Sequence, residues 1–257
     1  MEEKVFIKNS KGLKLASIIH YPDRKKQYPA IIILHGFIGY KEEEHLERLA
    51  KTLEQNGFAA IRFDVSGSGE SEGVFEKDYL MSNYLKDIKS VYDYLRTLKF
   101  VDKDKIGVVG HSMGGLLSII FASMQPEVKV CVSISSPTMI INADWVKAAV
   151  GQWEQVGYFL SRTSRNDDVI KVPFSFIVDS HKFSALDYVP KLHCPFLIVI
   201  GLADDVVSPE DTRKIFEAAN EPKELVEISE AGHDYKKYPV LIKKVNEKVL
   251  AFLKKYC

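Results

Sequence analysis

The sequence predicts an α/β fold, a mostly parallel sheet flanked by helices, and three observations carry that reading. A short unbroken apolar run stands at residues 30–34, and similar, mostly apolar runs recur at 59–63, 106–109, 128–134 and 196–200, the pattern of strands buried on both faces. Between them lie segments whose apolar residues step by three and four, as in helices with one buried face. Strand and helix alternate through most of the chain, which requires crossover connections and parallel pairing.

The elements follow in order. Val5, Phe6 and Ile7 precede the turn residues Asn9, Ser10, Lys11 and Gly12, and residues 13–20 return with apolar positions near period two, so the chain opens on a hairpin. After the strand at 30–34, Leu46, Leu49 and Leu53 mark a helix that Asn56-Gly57 closes. The strand at 59–63 comes next, then a helix carrying Tyr84, Ile88, Val91, Leu95 and Leu98 on one face. The strand at 106–109 leads into an apolar helix over 115–122, and the strand at 128–134 follows.

From Pro137 to Pro190 the rhythm breaks. This stretch holds both tryptophans, Trp145 and Trp153, a helical pattern from 143 to about 160, a polar patch at 161–168 and strand-like pieces near 172–178. Regular alternation resumes at Pro195, so residues 1–136 and 191–257 are expected to form one core and residues 137–190 an inserted cap. Strands at 196–200 and 225–228 and a terminal helix complete the pattern.

Composition narrows the function. A hydrophobic content of 46% over 257 residues is ample for a buried core and excludes a disordered or collagenous chain. Thirty-five basic residues balance thirty-five acidic ones, leaving no basic excess for a nucleic acid or an anionic membrane, and neither partner is expected. Cys131, Cys194 and Cys257 are too few and too scattered for a disulfide framework or a Cys-x-x-Cys metal site, and fit a reducing cytoplasm. The first eight residues carry no apolar signal and no apolar run approaches membrane-spanning length, so a soluble cytoplasmic chain is expected. The choice between monomer and homodimer stays open.

The strongest chemical signal is Gly110-His-Ser-Met-Gly114, between the strand at 106–109 and the helix at 115–122. A serine on a sharp strand-to-helix turn needs small neighbours, and glycines two residues to either side supply them. Ser112 is the candidate nucleophile. It needs a base and an acid that orients the base, in the chain order Ser, acid, His. Asp204 and Asp205 follow the strand at 196–200, and His233 lies in the loop Glu230-Ala-Gly-His-Asp-Tyr235. Asp204 is preferred as closer to the strand end, where position is best fixed, and Asp205 is read as a cap of the helix starting near Pro209. Of the other histidines, His20, His45, His181 and His193 are given no role. The oxyanion needs two backbone donors: the N–H of Met113 after the nucleophile, and that of Phe37 in the loop His35-Gly-Phe-Ile-Gly39. The glycine-rich stretch Asp64-Val-Ser-Gly-Ser-Gly-Glu-Ser-Glu-Gly73 matches neither nucleotide fingerprint and reads as a structural loop. No metal or organic cofactor is expected.

Taken together, His35-Gly-Phe37, Arg62-Phe-Asp64, Gly67-x-Gly69-x-Ser71, Gly110-His-Ser-Met-Gly-Gly115, Gly201-x-x-Asp204, Val207-Ser-Pro209 and Gly232-His233 resemble the α/β-hydrolases. Within that superfamily the chain is most similar to bacterial cinnamoyl and feruloyl esterases, and more distantly to monoacylglycerol lipases. The resemblance covers nearly the whole chain. It implies Ser112, Asp204 and His233 as a triad and Phe37 and Met113 as oxyanion donors, matching the reading above. Met113 stands where the cinnamoyl esterases carry Gln, and the insertion shows none of their motifs.

The expected activity is that of a serine carboxylesterase acting on small to medium esters, with an acyl-enzyme on Ser112. A thioesterase, a monoacylglycerol lipase or an acyl-peptide peptidase could use the same triad, and a catalytically silent binding protein is the rival of another class. The cap aromatics Trp145, Trp153, Tyr158, Phe159, Phe174 and Phe176 are candidates to cover the site. The two tryptophans are the candidate pocket residues, against the plainer alternative that both are core.

Overall fold

The computed structural model describes residues 1–163, 165–166 and 168–257. β1 (Glu2–Lys8) and β2 (Lys14–His20) form the opening antiparallel hairpin, paired from Glu2 opposite His20 to Lys8 opposite Lys14. Asn9 shapes its turn by accepting the N–H groups of Lys11 and Leu13 on Oδ1. In chain order the next strands are β3 (Tyr28–Leu34), β4 (Ala59–Phe63), β5 (Val101–His111) and β6 (Cys131–Ile134). β7 (Tyr158–Arg162) and β8 (Val169–Pro173) pair only with each other, and β9 (Phe196–Gly201) and β10 (Lys223–Ile228) return to the main sheet. That sheet has the order β1-β2-β4-β3-β5-β6-β9-β10, parallel from β4 to β10.

The helices are α1 (Glu44–Gln55), α2 (Phe75–Asp78), α3 (Met81–Leu95), α4 (Met113–Met124), α5 (Asp144–Val156), α6 (Phe174–Ser180), α7 (Ala185–Tyr188), α8 (Pro209–Ala218) and α9 (Pro239–Tyr256). Successive strand residues point to opposite faces, and both faces are covered. Ile31 and Ile33 of β3 pack with Leu46, Leu49 and Leu53 of α1 and Val245, Val249 and Phe252 of α9. Ala30, Ile32 and Leu34 of the same strand share the opposite core with Ile88 and Val91 of α3 and Leu116, Ile119 and Ile120 of α4. That is why residues 30–34 of β3 are an unbroken apolar run. Residues 113–122 of α4 are all buried, so the helix behind Ser112 is apolar all round.

The chain leaves the sheet after β6, runs through residues 137–190 and comes back beside β6 as β9. Trp153 anchors this excursion: its indole Nε1 donates to the Val172 carbonyl at 2.9 Å and its ring stacks on Phe176. Trp153, Val172 and Phe176 are buried in the same core as α3 and α4. Polar ties add register, with Asp179 of α6 accepting the N–H and hydroxyl of Ser82 on α3.

Several local expectations are corrected. The helix expected from 143 to about 160 ends at Val156, because Gly157 takes a left-handed conformation (φ 84°) and residues 158–162 become β7. Residues 174–178, expected as strand, form most of α6, which starts just after Pro173. The strand expected at 128–134 begins at Cys131. The cap of α8 is Ser208, with Pro209 at the first helical position, and not Asp205. Residues 164 and 167 of the polar patch lie outside the described residues. No helix among the described residues is long and apolar enough to cross a membrane.

Candidate active site

Ser112 sits between the end of β5 and the start of α4 with φ 56° and ψ −122°, a region that costs an L-residue energy. Two backbone bonds hold it there: Ser112 N donates to Ile134 O at 2.8 Å, and Ser112 O accepts from Leu116 N at 3.1 Å. The flanking glycines are required by close approach. A Cβ at Gly110 would lie 2.1 Å from the Gly114 carbonyl oxygen, and one at Gly114 would lie 2.5 Å from the Leu34 carbonyl oxygen. Strand, turn and helix meet too tightly for any side chain.

Asp204 follows β9, and its side chain is almost fully buried. Its Oδ1 accepts the N–H groups of Val206 at 3.0 Å and Val207 at 2.8 Å, while Oδ2 is 3.0 Å from His233 Nδ1. Asp205 is exposed. His233 opens a short 3₁₀ segment, His233–Lys237, beyond β10. An ionised carboxylate can only accept, so Nδ1 carries the proton and Nε2 keeps its lone pair. Ser112 and His233 line one cavity of about 280 Å³.

Phe37 lines the same cavity from a tight turn in which Gly39 N donates to Gly36 O at 3.1 Å. Ile38 has a positive φ of 56°, and its N–H donates to the buried Tyr79 hydroxyl at 2.6 Å. Met113 is the first residue of α4, where helix N–H groups have no intrahelical acceptor. The glycine-rich loop braces the far end of this turn. Asp64 accepts Lys41 N at 2.7 Å, Lys41 Nζ at 2.8 Å and Glu70 N at 2.9 Å.

The rest of the cavity wall divides by polarity. Ile140, Trp145, Phe159 and Val207 form an apolar side, and the Phe37 ring lies 5.4 Å from Trp145 and 5.1 Å from Phe176. Of the two tryptophans singled out from the sequence, Trp145 lines the cavity and Trp153 does not. The polar side holds His111, Glu43 and Lys236, the last two joined by an ion pair of 2.7 Å. Sequence reasoning missed this pair. Glu43 stands in the acidic run Glu42-Glu43-Glu44 and Lys236 beside Lys237, both of which look like solvated charge. Tyr79 also went unnoticed, for no local pattern marks a hydroxyl that meets a loop 41 residues away.

Three buried histidines surround the site. Burial pushes His35, His45 and His111 below the ordinary histidine range, His45 to about 4, and the neighbouring His233 and His45 lower His111 further. They are therefore neutral near pH 7. His20 bonds to Arg62 Nε at 3.1 Å, and His181 and His193 are exposed. Among the described residues no group of three or more His, Cys, Asp or Glu side chains could hold a metal ion.

Comparison with known proteins places the chain. Residues 44–257 match the prolyl oligopeptidase family, Peptidase_S9. The ferulic-acid-bound structure of Est1E from Butyrivibrio proteoclasticus superposes with a TM-score of 0.79 at 28% identity, covering 98% of each chain. The α/β-hydrolase GrgF from a Penicillium species shares the fold, with a TM-score of 0.86 at 18% identity over 100% of this chain and 99% of its own. Human mitochondrial palmitoyl-protein thioesterase ABHD10 is 28% identical over 73% of this chain and 60% of its own length.

Proposed function

The chain belongs to the prolyl oligopeptidase family within the α/β-hydrolase superfamily, and from that premise we propose that it is a serine carboxylesterase for small to medium esters. The observation that carries the reading is the Asp204–His233 bond at 3.0 Å beside a cavity that Ser112 also lines. His233 Nε2 takes the Ser112 proton, and the serine oxygen attacks the ester carbonyl. The N–H groups of Phe37 and Met113 receive the oxyanion. Collapse expels the alcohol, protonated by the same imidazolium, and leaves an acyl-enzyme. Water, deprotonated by His233, then releases the acid and restores the serine.

The cavity size and walls support a compact acyl group. About 280 Å³ is at the small end of ligand pockets, and Trp145 and Phe159 offer flat apolar contact that suits an aromatic or short aliphatic acid. Similarity to the human thioesterase supports a second reading, acyl thioesters, which need the same groups. The test is a hydrolysis panel of p-nitrophenyl esters of increasing length, methyl ferulate, a monoacylglycerol, an acyl thioester and an acylated amino-acid anilide. Expected are turnover of the short esters and loss of both turnover and fluorophosphonate labelling in Ser112→Ala. Labelling that survives in Ser112→Ala places the nucleophile elsewhere.

A further inference from the structure

Glu43 and Lys236 lie 193 residues apart in the chain and meet at 2.7 Å on the polar side of the cavity. Each belongs to a segment that carries part of the site. Glu43 is 5% exposed and is the N-cap residue of α1, four residues beyond Gly39 of the oxyanion turn. Lys236 is three residues beyond His233 in the same 3₁₀ segment. Among the described residues each is the other's sole ion-pair partner. Glu43 Oε2 is buried without a hydrogen-bond partner, as are both ring nitrogens of His45 and Nε2 of His35 and His111. Lys236 is therefore the only group that both hydrogen-bonds and ion-pairs with Glu43 among the described residues.

We propose that the Glu43–Lys236 pair is a positioning device for the catalytic base, fixing the His233 turn against the oxyanion turn and keeping the local charge beside the imidazole balanced. This rests on the serine-esterase reading. A base and an oxyanion site on separate loops act on one substrate only if their spacing is held to a fraction of an ångström. The pair spans the two loops directly. Burial pushes the Glu43 carboxyl up, but His45 and Lys236 outweigh it and hold it below the usual range.

The charged and titratable groups around His233 come from every neighbouring element. They are Asp204 beyond β9, His111 at the end of β5, and Glu43 and His45 from the start of α1, with His35 after β3 facing the Glu43–Lys236 pair. Its own turn adds Asp234, paired with Lys237, then Tyr235 and Lys236. With Asp204 common to all variants and the three other histidines neutral, changing one member of the pair leaves an unbalanced charge near the base. Glu43→Gln leaves the ammonium, which disfavours the imidazolium and moves the acid limb of kcat/KM to lower pH. Lys236→Met leaves the carboxylate, which favours the imidazolium and moves the limb to higher pH. A unit charge on the same cavity wall, partly screened by solvent, moves a neighbouring pKa by about half a unit to one unit.

The experiment measures kcat/KM for p-nitrophenyl butyrate from about pH 5 to 9 in wild type, Glu43→Gln, Lys236→Met, the double variant and Lys236→Arg. The limb position does not depend on the fraction of active protein, so partial misfolding cannot imitate a shift. Expected are limbs displaced in opposite directions in the two single variants, near the wild-type position in the double variant and in Lys236→Arg, with kcat lowered in both single variants and the double. Limbs that stay put, or that move the same way in both single variants, overturn the role of the pair alone. A wild type without an acid limb, or without ester turnover, overturns the esterase reading and the proposal with it.

Discussion

Asp204→Asn tests the proposed role of Asp204 as the orienting acid, with little change of shape. In the wild type Oδ1 receives two N–H groups, from Val206 and Val207, and Oδ2 faces His233 Nδ1. An asparagine must present its single oxygen to the two N–H donors, because its NH₂ group would meet them donor to donor. The NH₂ group then points at Nδ1. That nitrogen can respond only as an acceptor, so the proton moves to Nε2, the atom that receives the serine proton in the proposed mechanism. The imidazole is held in the wrong tautomer, and the stabilising charge beside the developing imidazolium is lost. A change of this kind costs about 10³–10⁴ in rate, or about 4–5.5 kcal/mol in transition-state stabilisation. Folding should change by no more than about 1 kcal/mol, since the turn keeps both hydrogen bonds. Asp204→Ala, by contrast, leaves the two N–H groups without an acceptor and should cost about 1–3 kcal/mol of stability. The assay is kcat/KM on a short p-nitrophenyl ester, with urea unfolding of both variants. An Asp204→Asn enzyme within tenfold of wild type refutes the assignment.

Other outcomes follow from the same geometry. Tyr79→Phe removes the acceptor of the Ile38 N–H, so urea unfolding should show a loss of about 1–3 kcal/mol, with kcat falling more than KM changes as the oxyanion turn loosens; an unchanged kcat argues against its role in the turn. Trp153→Ala should cost about 3–5 kcal/mol in thermal or urea unfolding, because a fully buried indole leaves a cavity. Trp145→Ala should instead widen the acyl site and move the preferred p-nitrophenyl ester to longer chains. An unchanged chain-length profile would remove Trp145 from the acyl wall.

Much of this was legible in the sequence for identifiable reasons. The strand at 30–34 could be read because its two faces bury against different helices, which forces apolar residues at every position. The glycines around Ser112 could be read because backbones that meet at van der Waals distance exclude every other residue at 110 and 114. The cap was read less well. Gly157 ends α5 through its left-handed backbone, yet the amphipathic pattern runs on past it, and Phe174 and Phe176 lie in a helix although their composition suits a strand.

The sequence by itself determined the strands of the sheet and the strand-to-helix turn at Ser112, since each is written in residues close together along the chain, and it offered an acid and a histidine further on, each in a short local motif after a strand. The preference for Asp204 over Asp205 was already legible, and the fold buries Asp204 against His233 and leaves Asp205 exposed; only the tertiary structure decided between the two tryptophans, with Trp145 on the cavity and Trp153 in the core. It also brought Glu43 to Lys236 and Tyr79 to Ile38. Those contacts depend on how distant segments pack, and a charge or a hydroxyl carries no local mark of the partner that folding will bring to it.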